Sequence, residues 1–455
     1  MTVPAARGRV LPTLNADGTR RLIRPKAYVG RTYRVRRALA IALMLLFVGL
    51  PFLRVGGKPA ILLDVARREF TLFGSTFLPT DGVLLMLLLL AIFVFIIWIT
   101  ALAGRAWCGY ACPQTVYMEF LFRPIERLFD GGSGAQGARG IRRALKYAVF
   151  LALSVALGNV FLAYFVGTDA LASWVTRSPL EHPGPFLLMA TTAALVFFDF
   201  AYFREQMCTI VCPYARLQSV LLDRRSLVVG YDARRGEPRS KGKPKPGSGD
   251  CIDCGACVAA CPTGIDIRQG LQMECIACAQ CVDACNFIMN RIKKPEGLIR
   301  YGSQEGFETG KRTRLLRPRV LAYPLVLVAL LVSLVVIGVR REDSEITVLR
   351  GAGDPFTRQG SKILNRVRLR IDNHENTPRS FRLELADTAG GELVAPENPL
   401  RVQGGGHRIG SVFVISPEAA FAGGERRVEL FVHTEGKPVR VVPLRLLGPS
   451  TGGAP

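Results

Sequence analysis

The sequence predicts a multidomain membrane protein with a five-helix transmembrane α-bundle, a cysteine-rich module and a C-terminal all-β sandwich. Three observations support this fold class: five long apolar runs, eight of the twelve cysteines within residues 251–285, and short alternating runs after residue 340. A chain of 455 residues with 49% apolar and 21% charged residues also suits a mixed architecture.

The apolar runs are the predicted membrane spans. Each is near or somewhat below the roughly 20 residues that a helix needs to cross a bilayer. The first is short and contains Pro51, which makes it the weakest of the five. The runs cover residues 38–53, 83–103, 147–166, 185–202 and 320–339.

The basic residues predict the orientation of these spans. Residues 1–37, 104–146 and 203–319 together carry +21 of the formal net charge of +23, and the alternate segments are nearly neutral. This is the positive-inside pattern, and it argues against nucleic acid as the reason for the charge. We therefore expect a cytoplasmic N-terminus, a cytoplasmic cysteine-rich module and a periplasmic C-terminus. The absence of cysteine from residues 340–455 fits an exported segment without disulfides.

The cysteine-rich module has the doubled spacing of a two-cluster bacterial ferredoxin. Each run has three cysteines spaced three apart and a fourth that lags by four, and the fourth is expected to reach the other cluster. Pro262 follows the first run, whereas Asn286 stands at the corresponding place in the second. Two four-thiolate zinc sites are the alternative, but such sites usually show separated C-x-x-C pairs. The predicted ligand sets for two [4Fe–4S] clusters are Cys251, Cys254, Cys257 and Cys285, and Cys275, Cys278, Cys281 and Cys261.

The other four cysteines form a repeated C-x-x-x-C-P motif. Cys108 and Cys112 follow the second span, and Cys208 and Cys212 follow the fourth, exactly one hundred residues later. Each pair lies either on one face of a helix or just before a helix that begins at the proline. Either geometry suits thiols that bind a soft metal or carry redox chemistry, and the alternative is four packed apolar cysteines at the membrane border.

Histidine and aspartate positions add two constraints. All four histidines, His182, His374, His407 and His433, fall in segments assigned to the outside, so a haem held by two helix histidines is not expected. Asp199 lies within the fourth span, where an acidic side chain is a functional candidate or an ion-pair partner of Arg204.

The remaining segments complete the domain plan. After residue 340, runs such as 366–371, 380–385, 411–415, 427–432 and 439–446 alternate polar and apolar residues, as in an immunoglobulin-like sandwich of about seven strands. The predicted organisation is a basic tail (1–37), four spans with both C-x-x-x-C-P motifs (38–229), a flexible linker (230–250), the ferredoxin module (251–300), a connector (301–319), the fifth span (320–339) and the sandwich (340–455).

Four segments carry a resemblance to a known family: ACPQTVYMEFLFRPIERL, REQMCTIVCPYARLQSVLLD, CIDCGACVAACPTGIDIRQGLQMECIACAQCVDAC and GLIRYGS. Over nearly its whole length, the chain resembles the CcoG/FixG/RdxA family of cytochrome c oxidase accessory proteins. The resemblance implies a bacterial inner-membrane protein that reduces Cu(II) to Cu(I) in the cytoplasm for assembly of cbb(3)-type oxidase. By that similarity Cys108, Cys112, Cys208 and Cys212 handle copper or relay electrons.

The resemblance also sets the expected partners and the alternatives. Membrane lipid, copper ions, a cytoplasmic electron donor, and copper-delivery and oxidase-assembly proteins are expected, and nucleic acid is not. The sequence leaves homo-oligomer formation open. Similar motifs occur in membrane ferredoxins that resemble quinol dehydrogenases of respiratory chains, and a copper chaperone or assembly scaffold with structural clusters is the non-enzymatic alternative.

Overall fold

The computed structural model describes residues 12–15, 17, 19–78, 81–131, 137–241, 246–310, 317–349, 354–375, 377–386, 390–421, 423–434 and 437–449. The chain divides into two compact units, one with Met1–Pro51 and Leu87–Ser333, the other with Phe52–Met86 and Leu334–Pro455. Within the described residues, five helices are long and apolar enough to cross a membrane, which confirms the five predicted runs. They are Arg31–Phe52, Gly82–Ala103, Ile141–Val166, Pro183–Phe203 and Val320–Val339.

The first helix begins at Arg31, so the prediction of a flexible basic tail up to residue 37 is wrong in its last part. Arg36 is buried and its Nε donates to the Gly109 carbonyl at 2.8 Å. The preceding segment is also bound, since the Lys26 amide donates to the Ala259 carbonyl and the Tyr33 amide to Asp283. These hydrogen bonds fix the segment around Lys26, Tyr33 and Arg36, although its basic composition predicted a free tail. Residues 1–11, 16 and 18 of the predicted tail lie outside the described residues.

Short helices fill the segments between the spans of the first unit. Several begin with proline, whose fixed φ and missing N–H suit the first helical turn. Three π-helical turns occur in the described part of this unit, at Met118–Phe122, Asp199–Phe203 and Met207–Val211, and the last contains Cys208 of the second C-x-x-x-C-P motif. The other helices outside the spans are Ala106–Tyr110, Pro113–Tyr117, Arg123–Asp130, Thr168–Thr176 and Pro213–Leu221.

An aromatic core joins these short helices to the spans. Phe122 is 1% exposed and stacks on Phe200 with ring centroids 4.3 Å apart. Phe150 meets the same Phe122 ring edge-on at 4.9 Å. Offset and edge-on aromatic pairs add to the free energy of apolar burial. The segment that follows the first C-x-x-x-C-P motif is thereby fixed against the third and fourth spans.

The cysteine-rich module includes part of the predicted linker. Val228–Tyr231 forms an antiparallel pair with Ile299–Gly302, and Asp250 makes ion pairs with Arg235 and Lys294. The prediction of a flexible linker over 230–250 is therefore wrong for its described residues, since backbone pairing closes the module; residues 242–245 lie outside the described part. The module's helices are Ala233–Gly236, Ala256–Ala259, the 3₁₀ turn Ile267–Gln269, Gln280–Arg291 and Gln304–Thr309.

The second unit contains a two-sheet sandwich. Among its described residues one sheet has five strands, Ser344–Leu349, Thr357–Gln359, Lys362–Asn373, Glu392–Val394 and His407–Pro417. The other has four, Arg379–Ala386, Leu400–Val402, Glu425–Thr434 and Lys437–Leu447. Each of the five runs that the alternation predicted is part of a strand. Ile363, Leu369, Phe381 and Leu430 are fully buried between the sheets.

Residues 54–77 form small sheets that the sequence did not indicate. A three-stranded antiparallel sheet contains Ile61–Asp64, Glu69–Leu72 and Ser75–Phe77, and a two-residue pair contains Arg54–Val55 and Lys58–Pro59. Two contacts join this segment to the rest of the second unit: His407 Nδ1 lies 3.4 Å from Glu69 Oε1, and Arg341 donates to the Thr76 carbonyl at 3.1 Å. The loop between the first two spans is thus part of the same unit as the sandwich.

Candidate functional site

The eight cysteines of the module surround two adjacent cavities. Cys251, Cys254, Cys257 and Cys285 line the first. Cys261, Cys275, Cys278 and Cys281 line the second, and Cys257 also borders it. The fourth cysteine of each run thus faces the cavity of the other run, as the doubled spacing predicts. Ligation itself remains a prediction.

The backbone of the two runs has the same local form. Asp253 and Ala277, each two residues after the first cysteine of its run, have φ of 51° and 52°. Gly255 and Ala279, each one residue after the second cysteine, have φ of 70° and 54°. Alternating left-handed residues turn the chain around a centre, and such turns cost free energy for alanine. The repeated strain indicates that both loops are shaped to enclose a group.

The donor set and the cavities fit a cluster better than a single ion. Within the described ranges no three His, Cys, Asp or Glu side chains are close enough together to hold one metal ion. Four thiols instead line a void, which matches the predicted cube of iron and sulfide. Burial raises the pKa of Cys257, Cys275 and Cys285 to about 12, so a cationic group is needed to keep these thiolates charged.

Asn286, the departure from the doubled pattern, has a local explanation. Cys285 lies inside helix Gln280–Arg291, whereas Cys261 follows the short helix Ala256–Ala259. A proline in a helix interior would remove a backbone hydrogen bond, and Asn286 instead accepts the Gly297 amide at 3.0 Å. Pro262 is outside a helix, and its carbonyl accepts from Arg123 at 3.2 Å.

The structure decides between the two geometries considered for the C-x-x-x-C-P motifs. Cys112 and Cys212 each occupy the position before a helix, with Pro113 and Pro213 as the first helical residues. Cys108 lies in helix Ala106–Tyr110, and Cys208 in the π-turn Met207–Val211. Each motif therefore places its first cysteine in one helical turn and its second at the start of the next helix.

The structure brings the two motifs together. Cys108 and Cys208 pack in one apolar cluster with Tyr214 and with Ile276 and Cys278 of the ferredoxin module. Burial, with smaller contributions from the nearby Cys112 and Cys212, raises the pKa of Cys108 to about 12. The pKa of Cys208 is also raised, first by burial and then by Cys112, Cys108 and Cys212. Cys108 and Cys208 therefore lie together beside the second cavity, and Cys112 and Cys212 are near enough to affect both thiols.

Close backbone packing fixes this contact. A Cβ at Gly109 would lie 2.8 Å from the Ile276 carbonyl and 2.9 Å from the Cys278 Cα, so only glycine fits. Arg105 donates to the Cys275 carbonyl at 3.2 Å and to the Ala215 carbonyl at 2.7 Å. Sequence analysis did not indicate either residue, because their roles depend on a neighbour far along the chain.

Polar side chains around the four thiols were also missed. The Cys108 Sγ donates to Gln218 Oε1 at 3.0 Å, and Gln218 is fully buried. Gln114, one position after Pro113, donates to Asp199 Oδ1 and to the Arg204 carbonyl, both at 3.1 Å. The considered Asp199–Arg204 ion pair is therefore wrong, since the Arg204 guanidinium instead binds both Glu126 oxygens at 2.8 Å.

None of the contacts found for the histidines in the described residues involves one of the thiols. His374 contacts the Glu342 carbonyl, His407 pairs with Glu69, and His433 pairs with Glu384 at 2.9 Å, all in the second unit. His182 precedes helix Pro183–Phe198. These positions give the histidines no part in the site.

Family models match three parts of the chain. A 4Fe-4S dicluster domain matches residues 203–304, a 4Fe-4S binding domain matches residues 85–131, and an IG-like fold at the C-terminal of FixG matches residues 334–449. The first two models include the C-x-x-x-C-P cysteines, and the third covers the sandwich.

Curated relatives match over most of the chain. Protein RdxA of Cereibacter sphaeroides is 35% identical over 73% of this chain and 74% of its own length. Protein RdxB of the same organism is 36% identical over 75% of this chain and 76% of its own length. Nitrogen fixation protein FixG of Rhizobium meliloti is 37% identical over 62% of this chain and 57% of its own length.

Proposed function

Because the chain belongs to the FixG/RdxA family of iron–sulfur electron-transfer proteins, we propose that it is an oxidoreductase that reduces Cu(II) to Cu(I) for assembly of a cbb(3)-type cytochrome c oxidase. The observation that carries this proposal is that Cys108 and Cys208, one cysteine from each C-x-x-x-C-P motif, pack in one apolar cluster with Cys278. A cluster ligand and a set of soft metal ligands are thereby adjacent in one apolar environment.

The eight module cysteines hold the two clusters in this proposal. Cys251, Cys254, Cys257 and Cys285 hold one, and Cys261, Cys275, Cys278 and Cys281 hold the other. Bound clusters supply electrons one at a time, which matches the single electron that separates Cu(II) from Cu(I). The segment from Ile276 to Cys278 lies between the second cavity and the C-x-x-x-C-P cysteines. It packs directly against Gly109 and Cys108.

Copper is the substrate of the four remaining thiols. Cys112 and Cys212 are partly exposed at helix starts, whereas Cys108 is buried. Solvent exposure therefore decreases from Cys112 and Cys212, where copper would enter, to Cys108 in the apolar interior. Thiolates prefer the soft Cu(I) ion, so Cys108, Cys112, Cys208 and Cys212 would retain the reduced product. The thiols release protons as they bind the ion.

The orientation in this proposal is a cytoplasmic site and a periplasmic sandwich in the bacterial inner membrane. The +21 charge of the three basic segments supports it. The grouping of residues 52–86 with 334–455 also supports it, since two segments of one folded unit must lie on the same side of a membrane. The partners would be copper-delivery and oxidase-assembly proteins, with a cytoplasmic or membrane electron donor.

The test is reduction of Cu(II) by purified anaerobic protein. Dithionite-reduced protein, freed of excess dithionite, should yield about one Cu(I) per electron stored, measured with a Cu(I)-selective chelator. A variant with serine at positions 108, 112, 208 and 212 should retain cluster absorbance but lose bound Cu(I). Equal copper binding and reduction by this variant would contradict the proposed site.

The same measurements separate the other functions. A chaperone with structural clusters would bind Cu(I) but would not reduce Cu(II). A quinol dehydrogenase without copper chemistry would oxidise quinol and show no difference in copper binding between the parent and the four-serine variant.

A further inference from the structure

A large cavity next to the second cysteine set has no role in the function proposed so far. Its volume is about 520 Å³. One wall contains Cys275 and Ala277, and another contains Asp223 and Arg224 after helix Pro213–Leu221. Apolar side chains form most of the remaining lining: Val220, Leu222, Val228, Val229, Leu271 and Met273.

The cavity lies level with the ends of two membrane spans. Arg317, directly before the fifth span, pairs with Asp223 and donates to the Ala101 carbonyl at 3.1 Å. Ala101 is in the last turn of the second span, Gly82–Ala103. Asp223 is therefore held at the membrane border by the ends of both helices.

The rim is apolar and exposed. Val220 is 81% exposed, Met273 61% and Leu271 47%. Three such side chains around one opening at the membrane border favour a ligand that arrives from lipid.

The interior offers an unused hydrogen-bond donor. Arg105 lines the cavity and is 6% exposed, and its Nε has no hydrogen-bond partner among the described residues, although both terminal nitrogens do. A buried donor without an acceptor costs about 1–3 kcal/mol. A ligand with a carbonyl oxygen would satisfy it, whereas an acyl chain would not.

We propose that this cavity binds the head group of a membrane quinone. The ligand must be lipid-soluble, must have an apolar group that fits a volume of about 520 Å³, and must carry an acceptor for Arg105. Quinones combine these properties and are redox-active, which suits a cavity that shares Cys275 with the second cysteine set. The inference adds a redox partner to the proposed function but rests on the cavity alone.

The test is photolabelling of the full-length protein in nanodiscs with an azido derivative of a short-chain ubiquinone. Adducts should map to peptides containing residues 220–229 or 271–277, and unlabelled decylubiquinone should compete. Leu271→Glu places a charge in the apolar lining and should weaken labelling about tenfold. Val220→Glu, at another residue of the apolar lining, should act in the same direction.

The matched control is Leu217→Glu, which changes an equally exposed apolar residue, 45% against 47%, outside the cavity lining. It should label as the parent does. Cluster absorbance of each variant reports folding, and dithionite-driven copper reduction should be unchanged in all three, which separates this inference from the proposed function. Competition by phospholipid with equal strength, or parental labelling of both cavity variants, would overturn the proposal.

Discussion

Gly109 shows at the level of one residue how the two cysteine systems are joined. Its missing side chain lets helix Ala106–Tyr110 touch the backbone of the Ile276–Cys278 loop. Arg36 then holds the same Gly109 carbonyl from the first span. A single position thus connects a membrane helix, a C-x-x-x-C-P motif and a predicted cluster loop.

Gly109→Ala should destabilise the protein, although alanine normally favours a helix. The added Cβ would meet the Ile276 carbonyl at 2.8 Å, and overpacking of this kind costs about 1–3 kcal/mol. Thermal loss of cluster absorbance should occur at lower temperature than in the parent. The control is Gly338→Ala, where nothing lies within 4 Å of the new Cβ and a neutral or slightly stabilising effect is expected. Equal midpoints for both variants would contradict the close contact.

The buried thiols predict a pH dependence of copper binding. Burial raises the pKa of Cys108 to about 12, so this thiol is protonated at neutral pH without metal. Each thiol that binds Cu(I) must release its proton. The affinity for Cu(I) should therefore rise about tenfold per pH unit for each proton that is released. Competition with a Cu(I) chelator calibrated at pH 6, 7 and 8 measures the slope. A flat profile in the parent would show that these thiols do not bind the ion.

At the level of elements, the two cysteine runs act as one unit. Helix Gln280–Arg291 carries Cys285 away from its own run and into the first cavity, while Cys261 reaches the second. Helix geometry, rather than sequence proximity, assigns each fourth cysteine.

Single substitutions can test the exchange of ligands. Cys285→Ser should perturb the cluster held by Cys251, Cys254 and Cys257. Cys261→Ser should perturb the cluster held by the other run. Each variant should retain about four of about eight irons, with different signals in electron paramagnetic resonance. If Cys285→Ser and Cys281→Ser affect the same cluster in the same way, the exchange is absent.

A network of buried ion pairs also joins elements that are far apart in the sequence. Arg204 binds Glu126 from the segment after the first motif, and Arg123 pairs with Glu119 and, at 3.6 Å, with Glu205. All five side chains are at least nine-tenths buried. Gln280 at the start of the module's long helix donates to Glu119 at 3.0 Å, so the network extends to the predicted clusters.

Removal of one partner should weaken the compensation of a buried charge. Glu126→Leu should destabilise the protein by about 3–5 kcal/mol, because Arg204 would lose its bidentate partner and keep only the 3.6 Å pair with Glu205. Glu305→Leu breaks the exposed pair with Arg225 and should cost about 0–1 kcal/mol. Chemical denaturation followed by cluster absorbance compares them. Similar losses would indicate that burial does not determine the cost.

At the level of the whole molecule, charge and packing give the same arrangement of segments. The three basic segments contribute their described residues to the first unit, and the loop between spans one and two joins the sandwich in the second. An odd number of spans is consistent with N- and C-terminal parts on opposite sides of the membrane.

Reporter fusions should show this orientation. Alkaline phosphatase fused after Pro455 should be active, because the enzyme forms its disulfides only outside the cytoplasm. A fusion after Gly310, before the fifth span, should be inactive. A fluorescent protein that folds only in the cytoplasm should give the reverse pattern. An inactive phosphatase fusion after Pro455 at normal expression would contradict the orientation.

The sequence by itself determined the features that repeat at short range. Apolar length predicted the five spans, alternation predicted a sandwich of about seven strands where the described residues form nine, and the doubled cysteine spacing predicted the grouping around two cavities. These patterns reflect periods set by backbone geometry, so they are readable without a partner. The resemblance from four quoted segments identified the family.

The contacts between segments that are distant in the sequence could be seen only in the three-dimensional structure. It placed Arg31–Arg37 in a helix, made part of the 230–250 segment a paired strand, and replaced the considered Asp199–Arg204 pair with contacts to Gln114 and Glu126. It also joined the two C-x-x-x-C-P motifs to Cys278. The physical reason is that burial and hydrogen-bond partners at these positions come from residues tens to hundreds of positions away. Local composition therefore indicates a polar or basic segment but not the contact that fixes it.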